Sequence, residues 1–278
     1  MPHRYATPPR RGRTPAKPSG TATAQVQSLT RGLNILEALA GAEGGLTLTD
    51  VAHRVDLPPS TTHRLLATLD RMGYVYQAGD LGRWYVGLQA FTVGSTFLAS
   101  RDFVAQSLPH MRRLMEQAGE TANLAILDGT EAVFIDQVQC REMMRTIVKL
   151  GSRVPLHASG VGKAIFASLR DDEIDAILKV KGLPRITAHT ITAPETMWAA
   201  LRVIRQRGWS FDDEEHALGT RCVAASIYDE HGEPLGAISL AGPSTRLPDE
   251  RIRQLGPVVA HAAEDLTRKL GGRWPHPY

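Results

Sequence analysis

The chain has 278 residues, more than one average domain, and its 42% apolar and 22% charged content is that of a globular protein with a sizeable core. No apolar run approaches membrane-spanning length, the opening MPHRYATPPRRGRTPAK has no apolar stretch, and Cys140 and Cys222 are the only cysteines, which argues against a transmembrane segment, a secretory signal, a disulfide scaffold and a thiolate zinc cluster and predicts a protein of the reducing cytoplasm. The net charge is +3, but residues 1–20 carry Arg4, Arg10, Arg11, Arg13 and Lys17 with no acid, a balance of +5 that leaves −2 for the rest of the chain.

Residues 1–24 therefore form a basic arm, too rich in Pro, Gly, Ser, Thr and Ala to bury a core of its own. Two readings are open for it. It is either a solubilising tail or a nucleic-acid contact, with Arg11 and Arg13 flanking Gly12 as a narrow minor groove requires. From Ser28 a helical pattern begins, with Leu29, Leu33, Leu36 and Ala40 on one face and Leu39 widening it, until Gly44-Gly45 stops it. Thr47 is placed to cap a second helix carrying Leu48, Val51, Ala52 and Val55, and Asp50 partly mimics a capping box. Asp56-Leu57-Pro58-Pro59 breaks the chain. Ser60 then caps a third helix with Leu65, Leu66, Leu69 and Met72 as its apolar side, stopped by Gly73.

Two short helices across a tight break, with an earlier helix behind them, make a helix-turn-helix pattern. Tyr74-Val75-Tyr76 and Trp84-Tyr85-Val86, joined by the turn residues of 77–83, read as a hairpin, the wing of a winged helix-turn-helix over residues 25–87. Such a third helix enters the major groove by its N-terminal residues, here Ser60, Thr61, Thr62, His63 and Arg64, a run without carboxylates in which Arg64 can read guanine bidentately. Arg83 in the wing is within reach of an adjacent phosphate. The competing reading is a solvated helix face. Residues 21–90 hold five arginines and six acids, so binding there leans on local placement, the arm and pairing of copies rather than on bulk charge.

Residues 88–119 read as two connector helices. Leu88, Phe91 and Leu98 mark one side of the first, with Val93 and Phe97 adding a second edge; Val104, Leu108, Met111 and Met115 mark the second, which ends near Gly119. They are either a dimer seam or part of the monomer core. Residues 120–272 alternate between strands (123–127, 133–138, 222–228 and 235–240, the last two joined as a hairpin around 229–234) and helices beginning near Ser159, Asp171, Pro194 and Pro248, an α+β pattern; residues 273–278 remain as a tail.

The stretches Ala24–Leu33, Ser60–Leu66, His157–Ala164, Phe211–Gly219, Arg221-Cys222 and Ala237–Ser244 together resemble the IclR family of bacterial regulators over nearly the whole chain from the Arg-Gly-Arg of the arm onward. The resemblance implies a winged helix-turn-helix joined by a helical linker to a GAF-like effector-binding domain, homodimers or homotetramers on double-stranded operator DNA, and repression of a carbon-metabolism operon of the glyoxylate-shunt type, altered by a small organic acid such as glyoxylate or pyruvate. It further implies that Gly160, Val161, Asp212, Cys222, Ser239 and Ala241 contact a small oxoacid, with Met143, Thr146, Val154 and Thr220 as an apolar wall. The residues agree chemically: Ser159-Gly160-Val161-Gly162 opens a helix whose free N–H groups suit a carboxylate, and Asp212, Cys222 and Ser239 supply polar contacts. They also depart from the family pattern. Val161 replaces alanine, Ala241 replaces serine, and Thr146 and Thr220 stand where close members carry large apolar side chains. The competing reading makes Gly160 and Gly162 packing glycines and Cys222 a small buried hydrophobe.

Enzyme readings fit poorly. Gly160–Ala164 is not a phosphate loop, because Ala164 follows Lys163 and His157 occupies the first glycine's place, and it lacks the third glycine of a dinucleotide fingerprint. Cys222, His216 and Asp212 are close in sequence without spacing that fixes a catalytic geometry, and His157, Asp212, His216 and Cys222 lack paired metal-ligand spacing. The expectation is a regulator with no catalytic residue, no metal and no cofactor, with no membrane partner, working in the cytoplasm on the nucleoid. The sign of control, repression or activation, is left open by the residues alone.

Overall fold

The computed structural model describes residues 26–79, 82–99 and 102–275. The chain divides into two compact units, Met1–Gly94 and Ser95–Tyr278, the division falling inside a helix.

In the first unit, α1 (Gln27–Ala40), α2 (Leu48–Arg54) and α3 (Pro59–Arg71) precede the two-stranded antiparallel hairpin of β1 (Val75–Ala78) and β2 (Arg83–Val86). Thr47 caps α2 as expected: its side chain accepts from Asp50 N at 3.2 Å while the Asp50 carboxylate accepts from Thr47 N. Ile35, Leu39, Leu46, Val51, Leu66, Val75 and Trp84 form the core. The buried side of α1 is Gly32, Ile35 and Leu39, whereas Leu29 and Leu33, expected to face inward, are 62% and 49% exposed. The leucine spacing alone gives a helical stripe but not which of two adjacent stripes is inward. The third helix also starts two residues earlier than expected. Pro58 is its N-cap and Pro59 its first residue, so Ser60 lies within the helix rather than capping it.

The connector helices are α4 (Leu88–Ala99) and α5 (Asp102–Ala118). In the second unit β3 (Thr121–Asp128), β4 (Glu131–Val138), β5 (Arg153–Pro155), β6 (Ser210–Asp213), β7 (Thr220–Tyr228) and β8 (Pro234–Pro243) form an antiparallel sheet in the order β5-β4-β3-β8-β7-β6. Helices α6 (Gly160–Ser168), α7 (Asp171–Lys181), α8 (Pro194–Arg207) and α9 (Asp249–Lys269) complete it.

Strand alternation divides the sheet into two faces. Ala122, Leu124, Val223, Ala225, Ile227, Ile238 and Leu240 pack against α5 and α9, with Met111, Leu114, Val259 and Leu266 between. The apolar side of α5 thus joins the core of its own unit. The other face carries Ala125, Ala224 and Ala237 against α6, and α8 packs on α6. These residues are small, so α6 settles close to the sheet, and eight of its nine residues are buried.

Candidate DNA-reading helix and candidate effector site

Ser60, His63 and Arg64 are exposed at the start of α3, and Thr61 is half-buried. Positions 60, 63 and 64 share one side of a helix. Thr62 points the other way. It is fully buried, and its hydroxyl donates to Pro58 O at 3.1 Å, so it fastens the first turn and is withdrawn from the reading surface. Its polarity grouped it with its neighbours; helical phase separates it. Arg83, half-buried on β2, donates from Nη1 to Gly45 O at 3.0 Å, committing part of its guanidinium to tying the wing to the turn after α1. Arg11 and Arg13 lie outside the described residues.

The sheet register brings together in the second unit what the sequence separates. Cys222 stands opposite Asp212 on β6 and opposite Ala241 on β8. Ser239 shares that face and stands opposite Asn123. Asn123 Nδ2 donates to Ser239 Oγ at 3.4 Å, and Gln137 Nε2 donates to Asn123 Oδ1 at 2.8 Å. Over this face lies the start of α6, where Ser159 is the N-cap. Its Oγ accepts from Gly162 N at 3.1 Å and donates to Pro155 O at 2.9 Å. A Cβ at Gly160 would sit 2.5 Å from Cys222 Sγ, so only glycine lets the helix start rest on that sulfur. Val161 N–H points at the same sulfur.

The sequence reading missed the buried ion pair of this site. Lys163 Nζ donates to the Glu215 carboxylate, both side chains buried. A lone lysine in the otherwise apolar run Gly160–Ala167 was the available signal. Asp212 Oδ1 accepts from Glu215 N at 2.8 Å and weakly from His216 N at 3.4 Å. Glu215 Oε2 and His216 Nδ1 are buried without hydrogen-bond partners.

Burial raises the Asp212 carboxyl to about 7, against the opposing pull of the Lys163 charge and the two backbone N–H groups. Burial, then the Asp212 charge, pushes the Cys222 thiol up to about 12. A thiol held protonated in this way is the opposite of an activated nucleophile. His216 is lowered by burial and by nearby His157, so it is neutral near pH 7.

The expected wall is only partly assembled. Val154 is buried opposite Ala132 on β4, and half-buried Thr220 opens β7 opposite Pro243. Thr146 is half-buried, but Met143 is 96% exposed and does not line the site in the single chain. What remains is a set of helix N–H groups, a hydroxyl, a neutral thiol and a carboxyl that changes charge near neutrality, suited to holding a small oxygen-rich molecule rather than to bond-making.

Residues 28–79 match the model of the IclR helix-turn-helix domain, and residues 95–268 match that of the bacterial transcriptional regulator IclR C-terminal domain. The chain is 49% identical to the acetate operon repressor of Salmonella typhimurium over 267 residues, covering 95% of this chain and 97% of that one. It is 42% identical to the transcriptional repressor AllR of Escherichia coli K12 over 262 residues, 94% of this chain and 96% of the relative. The crystal structure of the Thermotoga maritima IclR matches with a TM-score of 0.75 and 29% identity, covering 89% of this chain and all of that one. With both family domains present in order and relatives of this identity over nearly its full length, the chain belongs to the IclR family of transcriptional regulators, DNA-binding proteins and not enzymes.

Proposed function

We propose that this regulator is a repressor of a carbon-metabolism operon of the glyoxylate-shunt type, and that glyoxylate or pyruvate, bound beneath the start of α6, alters its affinity for double-stranded operator DNA. The observation that carries the reading is the convergence of Asp212, Cys222, Ser239 and Ala241 on one sheet face beneath Gly160 and Val161 at the start of α6. A carboxylate suits the N–H groups there, and the unpartnered Glu215 Oε2 and His216 Nδ1 nearby mark an arrangement short of partners. The 49% identity to an acetate operon repressor supports repression and the operon class. On this reading Val154 and Thr220 close the apolar side, with Thr146 and Met143 assigned to it by the family resemblance. The second unit serves as the GAF-like effector domain.

Ser60, Thr61, His63 and Arg64 are the proposed base-reading and phosphate-contacting residues, with Arg11 and Arg13 in the minor groove. Two or four copies act together, in the cytoplasm on the nucleoid, and exposed Leu88, Phe91 and Val93 of α4 form the seam.

The test is fluorescence anisotropy on a promoter fragment upstream of the chain's own gene, with and without each acid. Saturable, salt-sensitive binding that shifts with either acid is expected. Specific binding that neither acid moves would remove the ligand assignment and keep the regulator. Arg64→Ala is expected to weaken specific binding by about 1–3 kcal/mol at unchanged fold; an unchanged affinity would sink Arg64 as a base reader.

A further inference from the structure

A cavity of about 550 Å³ lies at the opposite end of α6 from the candidate effector site, within the second unit. Its apolar lining includes Ala167 and Leu169 at the end of α6 and Ile204 of α8, and its aromatic lining is Trp209, Tyr228 and Trp274. Trp274 packs edge-on against Tyr228, ring centroids 5.4 Å apart. Ser226, on the same face of β7 as Cys222, lies four residues further along the strand, a separation of about 13 Å.

The polar groups are few, and their states can be worked out. Ser168 Oγ donates its single proton to Ala164 O at 3.0 Å, so in the 2.9 Å contact between them Tyr228 donates to Ser168. The Ser226 hydroxyl beside this pair is buried without a hydrogen-bond partner. A buried hydroxyl left unsatisfied is costly, and its residue belongs to the cavity wall. The charged rim is already neutralised. Arg205 donates to Ala167 O, Leu169 O and the Asp171 carboxylate, and Arg170 pairs with Glu173 and Glu233. Among the described residues of the rim, no charge is left uncommitted to invite an ion.

We infer that this cavity is a second small-molecule site, distinct from the oxoacid site, for a neutral aromatic compound whose carbonyl oxygen accepts from Ser226. Its volume is in the range of small-molecule pockets, its rings offer edge-to-face partners for a flat ligand, and an uncharged amide meets the unpartnered hydroxyl without importing a charge.

Titration calorimetry of the full chain with benzamide, phenol, indole and the charged isostere benzoate tests it. Benzamide is expected to bind saturably in the millimolar range or tighter, at least about ten-fold better than benzoate. Ser226→Ala is expected to raise the melting temperature by a few degrees, because an unsatisfied hydroxyl is removed, and to weaken benzamide about five-fold. Trp274→Ala is expected to weaken it about ten-fold, and excess glyoxylate to leave the titration unchanged. Failure of all three neutral probes to saturate overturns the site. So does benzamide binding that is displaced by glyoxylate and indifferent to Ser226→Ala, which would place the amide at the start of α6. Because the two sites are separated along the sheet, a chain that ignores glyoxylate but binds benzamide loses the oxoacid reading alone.

Discussion

Asp212 couples the candidate site to pH. Its carboxyl titrates near 7 in the folded chain instead of at the ordinary 3.8, because burial penalises the charged form. Between those two values the folded state keeps a proton that the unfolded chain has released. The resulting contribution to stability is fully present below about pH 4 and is lost as pH rises through about 7. Asp212→Asn keeps an oxygen to accept from the Glu215 and His216 N–H groups, so it is expected to remove this slope and to stabilise the protein at pH 8 by a few kcal/mol. Denaturant unfolding of both proteins at pH 5 and pH 8 checks this; an identical pH slope in the variant refutes it. The same titration sets an expectation for the oxoacid. An anion added beside an ionised Asp212 is repelled, so affinity should fall above pH 7 in the native chain and stay level in the variant.

At the scale of elements, one guanidinium joins three parts of the second unit. Arg246, in the turn between β8 and α9, donates from Nε and Nη2 to the two carboxylate oxygens of Glu120 at 2.6 and 2.7 Å, and from Nη1 to Met144 O at 2.8 Å. Glu120 is buried, directly after Gly119 at the end of α5, and Met144 belongs to the loop that carries Met143 and Thr146. Arg246→Met would leave Glu120 buried and uncompensated, with an expected loss of about 3 kcal/mol. Arg246→Lys cannot reproduce the fork and the carbonyl contact together, so it should loosen the loop and weaken the oxoacid several-fold even where the fold holds. Calorimetric titration beside thermal melts separates the two effects, and full oxoacid affinity in Arg246→Lys would show that the loop needs no such anchor.

Neither Arg246 nor Glu120 stands out in the sequence, because they are 126 residues apart and meet only through tertiary placement. Lys163 stands out as a lysine in an apolar run, but its partner Glu215, 52 residues away, does not. The sequence pattern did reveal every helix of the second unit and its four long strands, which are long apolar runs. It missed β5 and β6, which are edge strands of three and four residues whose pattern is too short to distinguish from loop. The candidate effector-site residues come from the resemblance to the IclR family, and their convergence is a product of sheet register: Asp212, Cys222 and Ala241 are consecutive rungs across β6, β7 and β8.

For the whole molecule, charge and exposed apolar surface point the same way. Residues 21–90 carry five arginines against six acids, so one copy of the reading unit has no net attraction to a polyanion. On the proposed reading, two copies double the local contacts made by α3 and by the arm without changing that balance. Leu88 and Phe91, one turn apart on α4, are 77% and 71% exposed, a large apolar area for a chain to leave in water. Burying this surface against a second copy removes that cost, at about 25 cal/mol per Å². Phe91→Glu is accordingly expected to shift the protein towards smaller assemblies in sedimentation velocity. It should also weaken operator binding and lower the steepness of its salt dependence, because fewer phosphate contacts are made at once. If Phe91→Glu sediments and binds DNA as the native chain does, α4 is not the seam, and the exposed stripe of Val26, Leu29 and Leu33 on α1 is the surface to alter next.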